Sequence, residues 1–80
     1  MHIESLVRMA NQIGVFFEAM PDRAEACDGI AQHLRKFWEP RMRRQFLAHV
    51  DAGTADLHPL VAEAVRQHRA LLSVPARETS

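Results

Sequence analysis

The sequence is poor in several features from which small proteins build stability or binding sites. Its 80 residues include one cysteine, three glycines and 6% aromatic residues, and ten basic side chains balance ten acidic ones. A single cysteine excludes an internal disulfide framework and a metal site built mainly from cysteine. Zero net charge excludes an overall cationic field that would attract nucleic acid or anionic lipid. The isolated glycines form no glycine-rich loop that could cradle a phosphate.

The length of the chain also limits what it can do alone. Ordinary domains have about 100 to 200 residues, so 80 residues make one small domain or part of something larger. A chain of this size buries only roughly 60% of its unfolded surface, and below about 70 to 80 residues a core usually needs additional support. Without a disulfide, that support has to come from a partner, a metal or very good helix packing. We therefore predict that this chain is not an enzyme by itself.

The spacing of apolar residues predicts helices in the first half of the chain. Apolar positions recur every three or four residues, and the period-two alternation of strands is absent. The first helix is expected to end at Met20, because the residue before Pro21 is pushed away from helical backbone angles. Gly14 within it marks either close packing or a weak point. Asp22 and Glu25 resemble a capping box and predict the start of a second helix. The apolar stripes consist of Ile3, Leu6, Ala10, Ile13, Phe17 and Met20 in the first helix, widened by Val7 and Phe16, and Ala26, Cys27, Ile30, Ala31, Leu34, Phe37 and Trp38 in the second.

Proline and glycine delimit two further helices in the second half. Pro40 suits the first turn of a third helix that follows a sharp bend, and Gly53 is expected just past its end. Pro59 suits the first turn of a fourth helix. The apolar stripe of that helix continues to Leu72.

These patterns together predict an all-α fold. We expect a small domain of about four short helices with short connections. A single helical domain would span residues 1–74, and residues 75–80 would form a loose, flexible tail.

No part of the sequence resembles an export or membrane signal. The first residues lack the apolar core of a signal peptide, and no stretch approaches the about 18 apolar residues of a membrane-spanning helix. A free cysteine without an export signal suits a reducing compartment. We therefore expect a cytoplasmic protein with no membrane partner.

The residues that could carry chemistry are too dispersed to form a recognisable site. Successive histidines are at least nine residues apart, so no two share one helical face locally; they are His2, His33, His49, His58 and His68. Cys27 and His33 lie six residues apart, on opposite faces of the second helix. Cys27 is expected to be an inert core thiol, and His68 to lie in the core or an interface. We predict no catalytic, cofactor-binding or metal-binding residue in this chain.

Basic residues are concentrated in one segment despite the zero net charge. Residues 32–44 hold five basic residues and one acidic residue, a net charge of +4. Residues 1–31 carry a net charge of −3 and residues 45–80 a net charge of −1. The single tryptophan, Trp38, lies inside the basic segment. The candidates for a partner interface are Arg35, Lys36, Trp38, Pro40, Arg41, Met42, Arg43 and Arg44.

Three interpretations of the basic segment remain open. Its apolar side chains could be core while its cations form a solvated face. It could be a protein interface, because Trp, Met and Arg are enriched in buried interface cores. It could also bind nucleic acid, with arginines on phosphates and Trp38 stacked on a base, although the neutral total argues against this. Phe37 and Trp38 both follow Leu34 at helical spacing, so the pattern does not decide which of them points inward.

Long blocks of the sequence resemble one protein family. The most specific is Phe-Trp-x-Pro-Arg-Met-Arg at residues 37–43. This motif is similar to one in the delta subunit of soluble NAD-dependent formate dehydrogenases that contain molybdenum or tungsten. The resemblance extends over roughly residues 6–65; its blocks are residues 8–14, 16–23, 29–44, 47–53 and 57–61. His58 stands where members of that family often have serine, which predicts a weaker cap on the fourth helix.

The resemblance implies a non-catalytic accessory chain of a cytoplasmic enzyme that oxidises formate to carbon dioxide and reduces NAD. In that family the alpha subunit holds bis-molybdopterin guanine dinucleotide and iron–sulfur clusters. The beta subunit holds FMN and the NAD site, and the gamma subunit holds another cluster. None of the cofactor ligands maps onto this chain. The implied partners are the catalytic alpha subunit, with beta and gamma in the same complex.

The resemblance and the basic segment lead to one hypothesis about docking. Trp38 would insert into a pocket of the catalytic subunit, and arginines around it would pair with carboxylates; these are Arg35, Arg41, Arg43 and Arg44. Docking would stabilise the catalytic subunit or its assembly. Two alternatives are a transient maturation factor for insertion of the molybdenum cofactor and a small helical nucleic-acid-binding protein.

Overall fold

A computed structural model describes residues 2–53 and 55–74 of the chain. Five helices occur in these residues: α1 (Ile3–Phe17), α2 (Arg23–Phe37), α3 (Pro40–Asp51), α4 (Pro59–Gln67) and the short α5 (Arg69–Leu72). No strand occurs in the described ranges, which confirms the predicted all-α class. The predicted tail, residues 75–80, lies outside them, and the extent of the domain stays a prediction.

The first two helices are separated by a tight turn. α1 ends at Phe17, three residues before the predicted end, and the Met20 N–H donates to the Phe17 carbonyl at 3.0 Å. Met20 consequently leaves the apolar stripe and is exposed. The predicted start of α2 is confirmed, because the Asp22 carboxylate accepts hydrogen bonds from the N–H groups of Ala24 at 2.9 Å and Glu25 at 3.3 Å. Asp22 thereby satisfies donors that the first turn of a helix leaves open.

The third helix begins and ends at the predicted residues, but the predicted fourth helix is divided. Pro40 opens α3, and Gly53 follows its end with a φ of 76°, a left-handed conformation that glycine adopts without strain. His68 separates α4 from α5 with φ −116° and ψ 31°. Its N–H still donates to the Ala64 carbonyl, and its own carbonyl accepts from Leu72. This change of direction accompanies the burial of Leu72 in the core, where α5 packs against α2 and α4.

Helix α2 is the centre of the fold. It packs against α1, α4 and α5, most extensively against α4. The interior is filled by apolar side chains from all five helices and the α2–α3 link: Leu6, Ala10, Ala26, Cys27, Ile30, Ala31, Leu34, Trp38, Phe46, Leu47, Leu60, Val61, Ala64, Val65 and Leu72. The predicted core stripes are therefore confirmed except near the ends of α1 and α2, where Phe16, Met20 and Phe37 are exposed.

Two helical glycines mark close helix contacts. A Cβ added to Gly14 would lie 2.6 Å from Cγ2 of Val61, and one added to Gly29 would lie 2.5 Å from Cε1 of Phe17. Both distances are too short for non-bonded carbons. Gly14 thus lets α1 approach the start of α4, and Gly29 leaves room for the Phe17 ring on α2. Close packing, rather than a weak point, is the correct interpretation of Gly14.

Candidate functional site

Trp38, the predicted anchor for a partner, is part of the core. It follows the last residue of α2 with an extended backbone (φ −94°, ψ 130°), and its N–H donates to the Leu34 carbonyl. This geometry turns the indole inward, where it meets Phe46 of α3 edge to face with ring centroids 5.4 Å apart. Only 5% of Trp38 is exposed, against 69% of its neighbour Phe37. The hypothesis that Trp38 inserts into a partner is therefore wrong for this fold.

The other candidates from the basic segment divide into an exposed and an inward set. Arg43 is also buried, with 4% of its surface exposed, so its guanidinium is not available to a partner's carboxylate. Met42 is half-buried and packs against the core. The remaining candidates lie on the surface: Arg35, Lys36, Pro40, Arg41 and Arg44. Their role in an interface stays a prediction.

A groove with a mostly apolar lining lies between α1 and α2, and the sequence interpretation missed it. It encloses about 420 Å³ and is called the α1–α2 groove below. Its lining residues are Met9, Gln12, Ile13, Phe16, Phe17, His33 and Trp38. Phe16 at its edge is 74% exposed, which is rare for a phenylalanine in a monomeric protein. Exposed apolar surface of this kind marks sites of interaction.

The exposed rings beside the groove are supported by other rings. Phe16 meets Phe17 edge to face with centroids 5.2 Å apart, and Phe17 lies against Gly29. On the α2 side, Phe37 does not line the groove itself but packs against the lining residue His33, with centroids 4.8 Å apart. These contacts hold Phe16 and Phe37 in place before any partner binds, which lowers the entropy cost of docking.

The sequence contained a signal for both exposed rings. Val15, Phe16 and Phe17 are consecutive, and residues one position apart in a helix point about 100° away from each other, so three in a row cannot all face one core. The pair Phe37 and Trp38 presents the same conflict. Excess apolar residues beyond the stripe indicated surface exposure, but not which residue would be exposed.

The opposite side of α1 is closed by a polar contact network around His58, called the His58 clasp. The His58 backbone N–H donates to Oδ1 of Asn11 at 2.8 Å, and Nδ2 of Asn11 donates to the Asp56 carbonyl at 2.9 Å. Nδ1 of His58 accepts from the Leu60 N–H at 3.1 Å, and its Nε2 lies 2.8 Å from Oε2 of Glu18. His58 therefore caps α4 with its side chain, and a weaker cap than that of serine stays a prediction.

The described residues contain no arrangement typical of a catalytic or metal centre. No group of three or more His, Cys, Asp or Glu side chains is gathered as metal ligands would be in residues 2–53 and 55–74. Cys27 is buried, as expected, and burial raises the pKa of its thiol, which keeps it in the poorly nucleophilic protonated form. No helix among those described is long and apolar enough to span a bilayer.

Comparison with known protein families identifies a family model that matches most of the chain. A family model for the NADH-dependent formate dehydrogenase delta subunit, FdsD, matches residues 5–65. No curated protein and no solved structure matches the chain. The matched range includes most of α1, all of α2 and α3, and most of α4, and hence the lining of the α1–α2 groove and the basic segment. The chain belongs to the delta subunit family of NADH-dependent formate dehydrogenases.

Proposed function

We propose that this chain is a non-catalytic accessory subunit that docks on the cofactor-bearing alpha subunit of a cytoplasmic NAD-dependent formate dehydrogenase. Docking would stabilise the alpha subunit or its assembly. The family match supports membership in such a complex. The bis-molybdopterin guanine dinucleotide, iron–sulfur clusters, FMN and NAD would then be held by the alpha, beta and gamma subunits, and this chain would contribute contact surface only.

The observation that carries the docking role is the exposure of Phe16 and Phe37 beside the α1–α2 groove. Fully burying one large apolar side chain is worth about 1.5–3 kcal/mol, so two rings left in water are a substantial unused source of binding energy. Exposed cations of the basic segment lie next to Phe37 along the chain, at Arg35 and Lys36. An apolar centre beside a charged rim is the composition of a protein interface.

Co-purification tests the proposal. The alpha subunit carries an affinity tag, all subunits are co-expressed, and the active enzyme is passed through size exclusion. We expect this chain to remain at a constant ratio to the alpha subunit through both steps. A chain that neither elutes with the enzyme nor affects its assembly when deleted would contradict the proposal. A chain that is required for assembly but absent from the active enzyme would indicate the maturation role instead.

A further inference from the structure

We propose that the α1–α2 groove receives an amphipathic helical segment of the catalytic subunit, which turns an apolar face to the groove and acidic side chains to Arg8 and Lys36. This inference rests on the docking role proposed above and adds the kind of partner segment that the surface fits. The shape of the groove and the charges at one of its ends support this inference.

The dimensions of the groove suit a helix. Its wall on α1 runs from Met9 through Ile13 to Phe16, a distance of about 10 Å at the rise of an α-helix. Two helical turns of a partner, with apolar side chains at positions i, i+3 or i+4, and i+7, match that length. The polar lining residues are Gln12 and His33, so no lysine, arginine or carboxylate lines the groove to hold a small charged metabolite.

The charges lie at one end of the groove. Phe17 contacts Gly29, and Met9 lines the groove together with Trp38, so α1 and α2 run in opposite directions. One end of the groove therefore lies near Met9 and Trp38. Arg8 precedes Met9, and Lys36 follows His33 by three residues, so both cations lie at this end. Both side chains are exposed.

A neighbouring depression extends the cationic end. It encloses about 390 Å³, shares Trp38 with the groove, and is lined by Arg35, Lys36, Phe37, Trp38, Glu39, Pro40 and Arg43. Glu39 is the one acidic residue among these lining side chains, and Glu4 lies one helical turn before Arg8 on α1. Cations outnumber the acids, so a partner with carboxylates at this end is favoured.

Site-specific photo-crosslinking in the assembled complex identifies the occupant. A photoreactive residue replaces Gln12 on the groove wall, and a control variant carries it at Arg66, an exposed position of α4. We expect Gln12 to crosslink to a segment of the catalytic subunit with helical apolar spacing and neighbouring Asp or Glu residues, and Arg66 not to crosslink there. A crosslink from Gln12 to a second copy of this chain, or to a segment without that pattern, would overturn the inference.

Charge reversal tests the acidic flank separately from docking itself. The double variant R8E/K36E should reduce the amount retained on the tagged catalytic subunit at least about tenfold, which corresponds to 1.4 kcal/mol. The control R66E reverses an exposed charge on α4, away from the groove, and should be retained like the unmodified chain. Replacing an acidic residue of the crosslinked segment by lysine should restore binding of R8E/K36E.

The possible failures point to different claims. If the unmodified chain is not retained, the proposed docking function itself is wrong. If it is retained and R8E/K36E is retained equally well, docking stands and the acidic helical partner is wrong.

Discussion

The two sides of α1 differ in how completely they are closed. On the side that faces α4, Gly14 brings the helix against Val61, and the His58 clasp joins Asn11 and Glu18 to the start of α4. On the side beside α2, the groove is open and Phe16 is exposed. Helix α1 is thus packed against α4 on one side and leaves an exposed apolar surface on the other.

The difference between the two sides of α1 shows how this small chain assigns stability and binding to different surfaces. Closing the α4 side requires a glycine and polar side chains in narrowly defined positions. The α1–α2 side keeps its rings exposed yet supported, with Phe16 against Phe17 and Phe37 against His33. Substitutions on the closed side should therefore change folding, whereas those on the open side should change docking.

The largest effect is expected from Trp38, which stands at the boundary of the two regions. Trp38→Ala should cost about 3–5 kcal/mol, as for other buried aromatic residues, while a core of this size rarely supplies more than about 3–5 kcal/mol in total. The variant should be largely unfolded in circular dichroism and urea titration. Trp38→Phe keeps a ring near Phe46 and should remain folded, and Phe37→Ala should unfold like the unmodified chain. Equal stability of Trp38→Ala and Phe37→Ala would contradict the assignment of Trp38 to the core.

Gly14→Ala should give the next largest loss of stability. Alanine gains about 1 kcal/mol of helix propensity, but its Cβ would press on the branched, fully buried side chain of Val61. Overpacking of this kind costs about 1–3 kcal/mol before that gain. Thermal unfolding should show a lower melting temperature. The double variant Gly14→Ala/Val61→Ala removes the closest contact of the added methyl group and leaves those with Cγ and Cβ of His58 at 3.1 and 3.3 Å. Its loss of stability should therefore be smaller than the sum of the single losses; additive losses would show that the contact with Val61 is not the cause.

A smaller effect is expected from the His58 clasp, and two variants separate its two contacts. His58→Asn keeps an acceptor near the position of Nδ1 and loses the reach to Glu18. His58→Gln keeps the reach and loses the cap on the Leu60 N–H. Since a cap contributes about 0.5–2 kcal/mol, and an exposed ion pair usually less, urea titration should find Gln the more destabilising substitution. The reverse order would mean that the contact with Glu18 dominates.

The smallest effect is expected from the surface ion pair between Asp51 and Arg69, which joins the end of α3 to α5. Both nitrogen atoms of the guanidinium end donate to the Asp51 carboxylate, at 2.7 and 2.6 Å, and these hydrogen bonds lower the pKa of Asp51. A lowered folded-state pKa gives stability that is present above the unfolded-state pKa, about 3.9 for Asp, and is lost as pH falls through the folded value.

This pH dependence of stability is checked by measuring the melting temperatures of the unmodified chain and of Asp51→Asn from pH 7 downwards at low salt. The small difference between them should shrink below about pH 4. Asp56→Asn serves as an exposed control on the neighbouring loop. A difference that grows as the pH falls would contradict the ion pair as its source.

Much of the fold follows from local signals in the sequence. An acidic cap and two prolines predicted the starts of α2, α3 and α4, and glycine predicted the end of α3, because these residues act on the backbone within one turn. The choice between Phe37 and Trp38 did not follow, because both stand at helical spacing from Leu34. It depends on the extended backbone after α2, which a periodic pattern does not contain.

The burial of Arg43 had a signal that the charge count obscured. Arg43 lies on the same face of α3 as Phe46, Leu47 and Val50, at the spacing i, i+3, i+4 and i+7. Counting it as one cation of a basic segment ignored that position. The α1–α2 groove could not be located at all, because it forms where two helices meet and depends on the contact of Phe17 with Gly29.

Retention of the double variant Phe16→Ala/Phe37→Ala on the tagged catalytic subunit tests the central claim most directly. We expect the double variant to have a melting temperature close to that of the unmodified chain, because both rings are largely exposed. We expect the fraction of it retained on the tagged catalytic subunit to be at least about tenfold lower, the effect of losing 1.4 kcal/mol of binding energy. A double variant that unfolds normally and is retained as fully as the unmodified chain would contradict docking through this groove.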